Sequence, residues 1–268
     1  MKLSIEHVTH YQYDAAVSHS VQYLRLTPKP SARQQVVSWQ LDTPQRSQTL
    51  TDGFGNILDV LTLDMPHQSL QIRACGEVII SLDDQAEPEP VAPAVFLRPT
   101  PLTLVGPALQ GFVQVFERDQ PVSHATLKRL MLAILELVPY GAAVTTVSTT
   151  AEEAFNAGGG VCQDHSHIFV ACCRALGVPA RYVSGYLHSD SSVQLASHAW
   201  AEAWIGGSWR TFDVSNGLTV PSHHLKLAMG LDYLDACPVR GARRGGGSET
   251  LQAFARISQG GRYQPGQR

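Results

Sequence analysis

Between residues 83 and 101 the chain reads DDQAEPEPVAPAVFLRPTP. Pro88, Pro90, Pro93, Pro99 and Pro101 each fix φ and remove a backbone donor, so no regular helix or interior strand can run through this stretch. The chain is cut in two there, and the two sides differ. Before the cut the pattern has a period of two. In IEHVTHYQY, Ile5, His7, Thr9, Tyr11 and Tyr13 alternate with Glu6, Val8, His10 and Gln12, which predicts a strand. VSWQLDT and ILDVLTLD lie on either side of DGFGN, residues 52–56, whose glycines and asparagine suit a hairpin connection. LQIRACGEVIISL reads as a further strand. The expectation is a small antiparallel β-sandwich over residues 1–85, an extended, semi-stiff linker over 86–104, and a second domain over 105–268.

After the linker the period changes. Leu127, Leu130, Met131, Ile134, Leu135 and Val138 fall at helical spacing, with Ser123 placed to cap and Pro139 to stop. Thr150 and Glu153 form a capping-box pattern ahead of a short helix that ends at Gly158–Gly160. Cys162 to Leu176 reads as a third helix that buries Ile168, Phe169, Cys172 and Leu176 and stops at Gly177 and Pro179. RYVSGYLH is a strand, followed by a polar loop around SDSS. HAWAEAWI and SWRTFDV are two more strands around Gly206–Gly207. Helices followed by strands make this half α+β. In the tail, GARRGGG reads as a loop and ETLQAFARIS as a candidate last strand.

The chain of 268 residues is 44% hydrophobic, with a net charge of −3. It is long enough for a substantial core, and it has neither a basic stripe for nucleic acid nor an acidic tail. No run approaches the ~18 apolar residues of a membrane span, and the N-terminus lacks the apolar segment of a signal peptide. The five cysteines, Cys75, Cys162, Cys172, Cys173 and Cys237, are odd in number and lack a disulfide-framework spacing. A reduced, cytoplasmic setting is the expectation.

Three residues meet on this reading. A two-residue turn at Gly206–Gly207 pairs Ile205 with Ser208, and it puts His198 and Asp213 on one sheet face as diagonal neighbours, roughly 7–8 Å apart at the backbone. A carboxylate on one imidazole nitrogen fixes the tautomer and leaves the other nitrogen to take a proton from a nucleophile. Cys162, at a helix start where the dipole and free N–H groups favour thiolate, is that candidate nucleophile. The preceding glycines would let a substrate backbone approach it. Taken singly, each residue has a plainer reading: a buried thiol, a structural histidine, a turn aspartate. A metal site at Cys162, His165 and His167 is disfavoured. The two histidines stand two apart on a helix and point in different directions, and no second ligand pair has zinc spacing. Asp164, in the first turn, opposes thiolate formation unless it turns to solvent. Cys172 and Cys173 read as core, Trp200, Trp204 and Trp209 as packing with Trp200 nearest the site, and His223–His224 as surface.

GGGVCQDHSHIFVACCRALGVPARYVSGYL, SHAWAEAWI and GSWRTFDVSNG together resemble the bacterial transglutaminase-like superfamily, of papain-like fold. The first eighty residues, with LRLTP and DGFGN, resemble the β-rich region that precedes this core in bacteria. The family's Cys, His and Asp motifs fall on Cys162, His198 and Asp213. QDHSH is more polar than the usual segment after the cysteine, a histidine stands at 165 where an aromatic is common, and DVSNG replaces DPTNG. The resemblance implies thiol-dependent acyl transfer or hydrolysis at an amide or peptide bond through a Cys162 thioester, as in a cysteine protease. Peptidase or amidase chemistry is favoured over cross-linking, and the partner expected is a peptide or protein amide. The backbone N–H of Cys162 is the natural oxyanion donor, with Gln163, Tyr140 and Trp200 as further oxyanion or substrate-side candidates. No cofactor and no metal are expected; the carboxylate-dense calcium loop of eukaryotic relatives is missing from this sequence. An N-acetyltransferase-type acyl transfer on the same triad and a non-catalytic peptide-binding module remain as alternatives.

Overall fold

The computed structural model describes residues 1–81, 91–119, 121–141, 145–188, 197–221 and 223–259. The polar segment around SDSS, the first half of the proline-rich linker and the extreme C-terminus lie outside the described residues.

The strand pattern at the N-terminus extends further than its alternation suggests. Strand β1 (Lys2–Leu24) carries Ile5, His7, Thr9, Tyr11 and Tyr13 inward, all buried. It joins β2 (Gln34–Asp42), β3 (Gln48–Thr51), β4 (Ile57–Leu63) and β5 (His67–Ile80) in the order β2-β5-β1-β4-β3. The immediate partner across DGFGN is β3; β2 pairs with β5 instead. The turn is closed by Asp52, whose N–H donates to Asn56 O at 3.0 Å and whose carboxylate accepts from Phe54 N and Asn56 N.

Two C-terminal strands complete this sheet. The segment read as the loop GARRGGG is largely strand β10 (Val239–Gly245), which pairs with the second half of β1; β11 (Glu249–Gln259) pairs with the first half. The seven strands form one hydrogen-bonded sheet, and the C-terminal extension belongs to it rather than to the helical half. The core of this sheet also takes in Tyr186, Leu225 and Leu227 from the second sheet, so one body of apolar side chains joins the two halves.

The helical half runs α1 (Pro107–Val113), α2 (His124–Leu137), α3 (Ala151–Ala157) and α4 (Cys162–Ala175), then β6 (Ala180–Leu187), β7 (His198–Ile205), β8 (Ser208–Phe212), β9 (His224–Gly230) and the short α5 (Tyr233–Ala236). Ser123 caps α2 and Thr150 caps α3, each by accepting a backbone N–H. The linker is not a bare spacer. It makes short 3₁₀ turns at Pro93–Leu97 and Pro101–Thr103, and Phe96 is buried completely. Arg174, itself buried, explains why. Its guanidinium donates to Phe96 O, Thr103 Oγ1, Ala180 O and Leu231 O, tying the linker and the β9–α5 connection to the end of α4.

Helix α4 is buried from Asp164 to Arg174 on every side, not only on one face. It lies in the core with α1–α3 residues on one side and Ala180, Ala201, Ala203 and Phe212 of the sheet on the other. The four-stranded sheet has order β8-β7-β6-β9. Its hairpin has the register read from the sequence: Ile205 pairs with Ser208 and Ala201 with Phe212, and Gly206 and Gly207 have φ of 62° and 81°.

Candidate active site

At the mouth of the sheet the hairpin register brings two polar side chains together. His198 opens β7 and Asp213 follows β8; His198 Nε2 lies 2.8 Å from Asp213 Oδ2. Asp213 is fully buried, and the His198 side chain is 14% exposed. With Nε2 engaged by the carboxylate, Nδ1 is left for the thiol of Cys162. Burial opposes a charge on His198, but hydrogen bonds with Asp213 and with Cys162, together with their charges, raise its pKa to about 10. Burial likewise disfavours the Asp213 carboxylate, yet hydrogen bonds from His198 and His224 and the charge on His198 hold its pKa well below the usual range.

Cys162 is the first residue of α4 and is partly exposed. The first hydrogen bond of the helix runs from His165 N to Val161 O, so the N–H groups of the first turn have no acceptor within the helix. The local sequence is built to hold this end still, and here one expectation is corrected. Asp164 does not turn to solvent: it is 1% exposed, and its Oδ2 accepts from Val161 N at 2.8 Å and Thr145 Oγ1 at 2.7 Å. The glycines also serve the chain itself. Gly158 ends α3 in the left-handed conformation at φ 65°, and a Cβ on Gly160 would stand 2.7 Å from Asp164 Cβ.

Of the further candidates, Gln163 donates its side-chain amide to Val147 O at 3.2 Å. Tyr140 is 59% exposed; its backbone forms a parallel bridge with Gly160, and the nearby Cys162 adds to burial in raising its pKa. Trp200 is 1% exposed and packs against His198 and His224, with ring centroids at 6.1 and 4.8 Å. It forms a wall behind the site. His165 and His167 do not converge on Cys162. His165 is buried between Ser215 Oγ at 2.8 Å and Val138 O at 2.7 Å, and His167 Nε2 accepts from Tyr233 N at 3.1 Å. Burial lowers the pKa of both, His167 to about 4.

Two residues at the site were not read as part of it from the sequence. Asn216, within DVSNG, donates its side-chain amide to Asp213 Oδ2 at 2.8 Å and its backbone N–H to Oδ1 at 3.3 Å. His224, read as surface, is 3% exposed, and its Nε2 lies 2.9 Å from Asp213 Oδ2. Its strand was not legible because HLKLAMG is buried on both faces and shows no alternation. His198, Asp213 and His224 place three donor atoms within 4.8 Å of one another. Their 2.8 and 2.9 Å separations are hydrogen bonds, each needing a proton on a nitrogen that a metal would require bare, so the geometry fits a proton network better than a metal site. A cavity of about 370 Å³ between the two sheets is lined by Trp200 and His224 but by none of Cys162, His198 and Asp213.

Comparison with known proteins agrees with this architecture. Residues 3–79 match the bacterial transglutaminase-like N-terminal region, and residues 112–214 match the transglutaminase-like superfamily. The two matches follow one another along the chain, the N-terminal region first and the core second. It is 27% identical to the uncharacterized protein ML0607 of Mycobacterium leprae, covering 96% of this chain and 98% of that one. It is 29% identical to the uncharacterized protein Rv2569c of Mycobacterium tuberculosis, over 88% and 86% respectively. A crystal structure from Cytophaga hutchinsonii, a cysteine protease by provisional name only, superposes with a TM-score of 0.79 at 22% identity, covering 96% of this chain and 90% of that one. That likeness is one of fold.

Proposed function

We propose that the protein catalyses thiol-dependent acyl transfer or hydrolysis at an amide bond, with Cys162 as nucleophile, His198 as acid and base, and Asp213 as the group that orients His198. The observation that carries this reading is the hydrogen-bonded His198–Asp213 pair set against a thiol at a helix start. The Cys162 proton passes to His198 Nδ1, and the thiolate attacks the carbonyl carbon. The C–N bond breaks as His198 returns the proton to the leaving amine, and a thioester remains on Cys162. Water, deprotonated by His198, then attacks the thioester and releases a carboxylic acid and the thiol. An amine in place of water gives transamidation. The N–H of Cys162 is the proposed donor to the oxyanion. We take hydrolysis of a peptide or protein amide to be the favoured outcome.

The test is turnover of a library of peptide amides and anilides, with and without added amines, by the wild-type protein and by Cys162→Ala and His198→Ala. Both variants are expected to be inactive while folded. Near-normal turnover by Cys162→Ala would remove the thiol mechanism.

A further inference from the structure

The Asp213 carboxylate has more donors than a Cys-His-Asp arrangement needs. Its Oδ2 is within 2.9 Å of three nitrogens: His198 Nε2, His224 Nε2 and Asn216 Nδ2. We infer that His224 is a positioning residue of the triad, donating Nε2–H to Asp213 and so fixing the carboxylate that orients His198. This rests on the reading of Cys162, His198 and Asp213 given above.

Strand pairing places His224 there. In the register of the sheet, β6 lies between β7 and β9, with Gly185 opposite His198 and Leu187 opposite His224, so both imidazoles hang at one end of the sheet. The β6–β9 ladder shifts between Ser184 and Gly185. A Cβ at residue 185 would stand 2.0 Å from Leu225 O and 2.9 Å from the Trp200 ring, so this approach of β9 requires glycine. Trp200 then packs against both imidazoles, whose centroids are 6.0 Å apart.

The hydrogen bonding settles the tautomer. A carboxylate only accepts, so His224 carries its proton on Nε2 and presents a bare Nδ1. Burial, the largest influence, and the charges of His198 and Arg33 outweigh Asp213 and lower the His224 pKa, so the ring is neutral and adds no cation to compete with His198. Its Nδ1 is buried and has no hydrogen-bond partner among the described residues. An unpaired buried acceptor costs stability, whereas an apolar side chain of similar size would cost nothing there. Packing alone therefore does not account for a histidine at this position. Holding Asp213 does. Without His224 the carboxylate keeps its bonds to His198 and Asn216 but loses its bond to β9, and loss of orientation at such a group lowers the rate without touching substrate affinity.

The experiment compares His224→Gln, His224→Asn and His224→Leu in the full chain, with Cys162→Ala and Asp213→Asn as controls. Steady-state kinetics over pH are read on the best amide substrate, and the His198 imidazole is followed by NMR. His224→Gln keeps an N–H at the reach of Nε2 and is expected to hold kcat within about threefold of wild type. The shorter Asn and the apolar Leu are expected to lower kcat about 10- to 100-fold with KM unchanged, and to shift the His198 titration. If the controls are inactive while folded His224→Asn and His224→Leu keep wild-type kcat and an unmoved His198 titration, His224 has a structural role only and the inference is overturned. If His224→Leu fails to fold, the Gln–Asn contrast decides: equal kcat in the two contradicts donation by Nε2–H. Activity retained in Cys162→Ala marks failure of the triad reading itself, a separate outcome.

Discussion

Two carboxylates are buried in the hairpin of β7 and β8, and they are held in opposite ways. Glu202, at 8% side-chain exposure, faces two permanent cations: Arg181 Nη2 at 2.5 Å and Lys226 Nζ at 2.7 Å. Arg181 is 1% exposed, and its guanidinium lies 4.1 Å from the Trp209 ring centroid. Asp213 faces imidazoles and an amide instead. Burial pushes both pKa values up and the partners more than reverse it, bringing Glu202 to about 2 and Asp213 well below its usual range. The partners differ in whether they can let go of a proton. A guanidinium keeps its charge at any working pH, so Glu202 is a fixed clasp. An imidazole can hand its proton to a neighbour and take it back, so the same carboxylate charge at Asp213 serves a group that can cycle. The difference separates a site that holds the sheet from a site equipped to do chemistry on it.

Neutralising each carboxylate breaks the comparison most sharply. Asp213→Asn is expected to lower kcat about 10⁴-fold, since the amide misplaces the His198 tautomer, as for the corresponding change in serine proteases. It also loses the His198–Asp213 pair, at a smaller cost than a stranded guanidinium, because His198 can shed its proton and His224 is already neutral. Glu202→Gln is expected to do the reverse. It strands a buried guanidinium and costs about 3–5 kcal/mol in a denaturant titration, while kcat per folded molecule stays near wild type. Equal effects of the two changes on kcat would erase the distinction.

The next effect is on stability against pH. Glu202 has its pKa lowered from 4.5 to about 2, so its contribution is present above 4.5 and is lost as pH falls toward 2. His198 has its pKa raised from 6.5 to about 10, so its contribution is complete below 6.5 and fades as pH rises through 10. Denaturation midpoints measured from pH 3 to 10.5 are expected to fall at both ends. Glu202→Gln should flatten the acid limb, and His198→Ala the alkaline limb.

These contrasts also mark what the sequence made legible. The hairpin register followed from Gly206–Gly207 and from alternation, because a two-residue turn fixes pairing locally. The caps at Ser123 and Thr150 and the start of α4 at Cys162 were local signals as well. Asp164 was misread because its inward bond to Val161 and Thr145 depends on where residue 145 folds back. His224 and the pairing of β10 and β11 with β1 were hidden for a related reason. Each joins segments far apart in the chain, and a strand buried on both faces carries no period.

The smallest effect distinguishes the thiols. Cys75, Cys172, Cys173 and Cys237 are buried, and burial raises the pKa of the last three, whereas Cys162 is partly exposed. Iodoacetamide below pH 7 is expected to label Cys162 alone in the folded protein, more slowly in Asp213→Ala. Peptide mass spectrometry reads the site. Labelling of Cys172 or Cys173 at a similar rate would contradict the packing of α4.

The central claim is that Cys162 carries the acyl group. The direct measurement is to mix the protein with peptide amide and activated ester probes, quench in acid within a turnover, and map the acylated residue by mass spectrometry. The result expected is a thioester on Cys162 that forms and decays at the turnover rate, slowly in His198→Ala and not at all in Cys162→Ala. Amide turnover in Cys162→Ala at the wild-type rate, with no adduct on Cys162 in the wild-type protein, would contradict it.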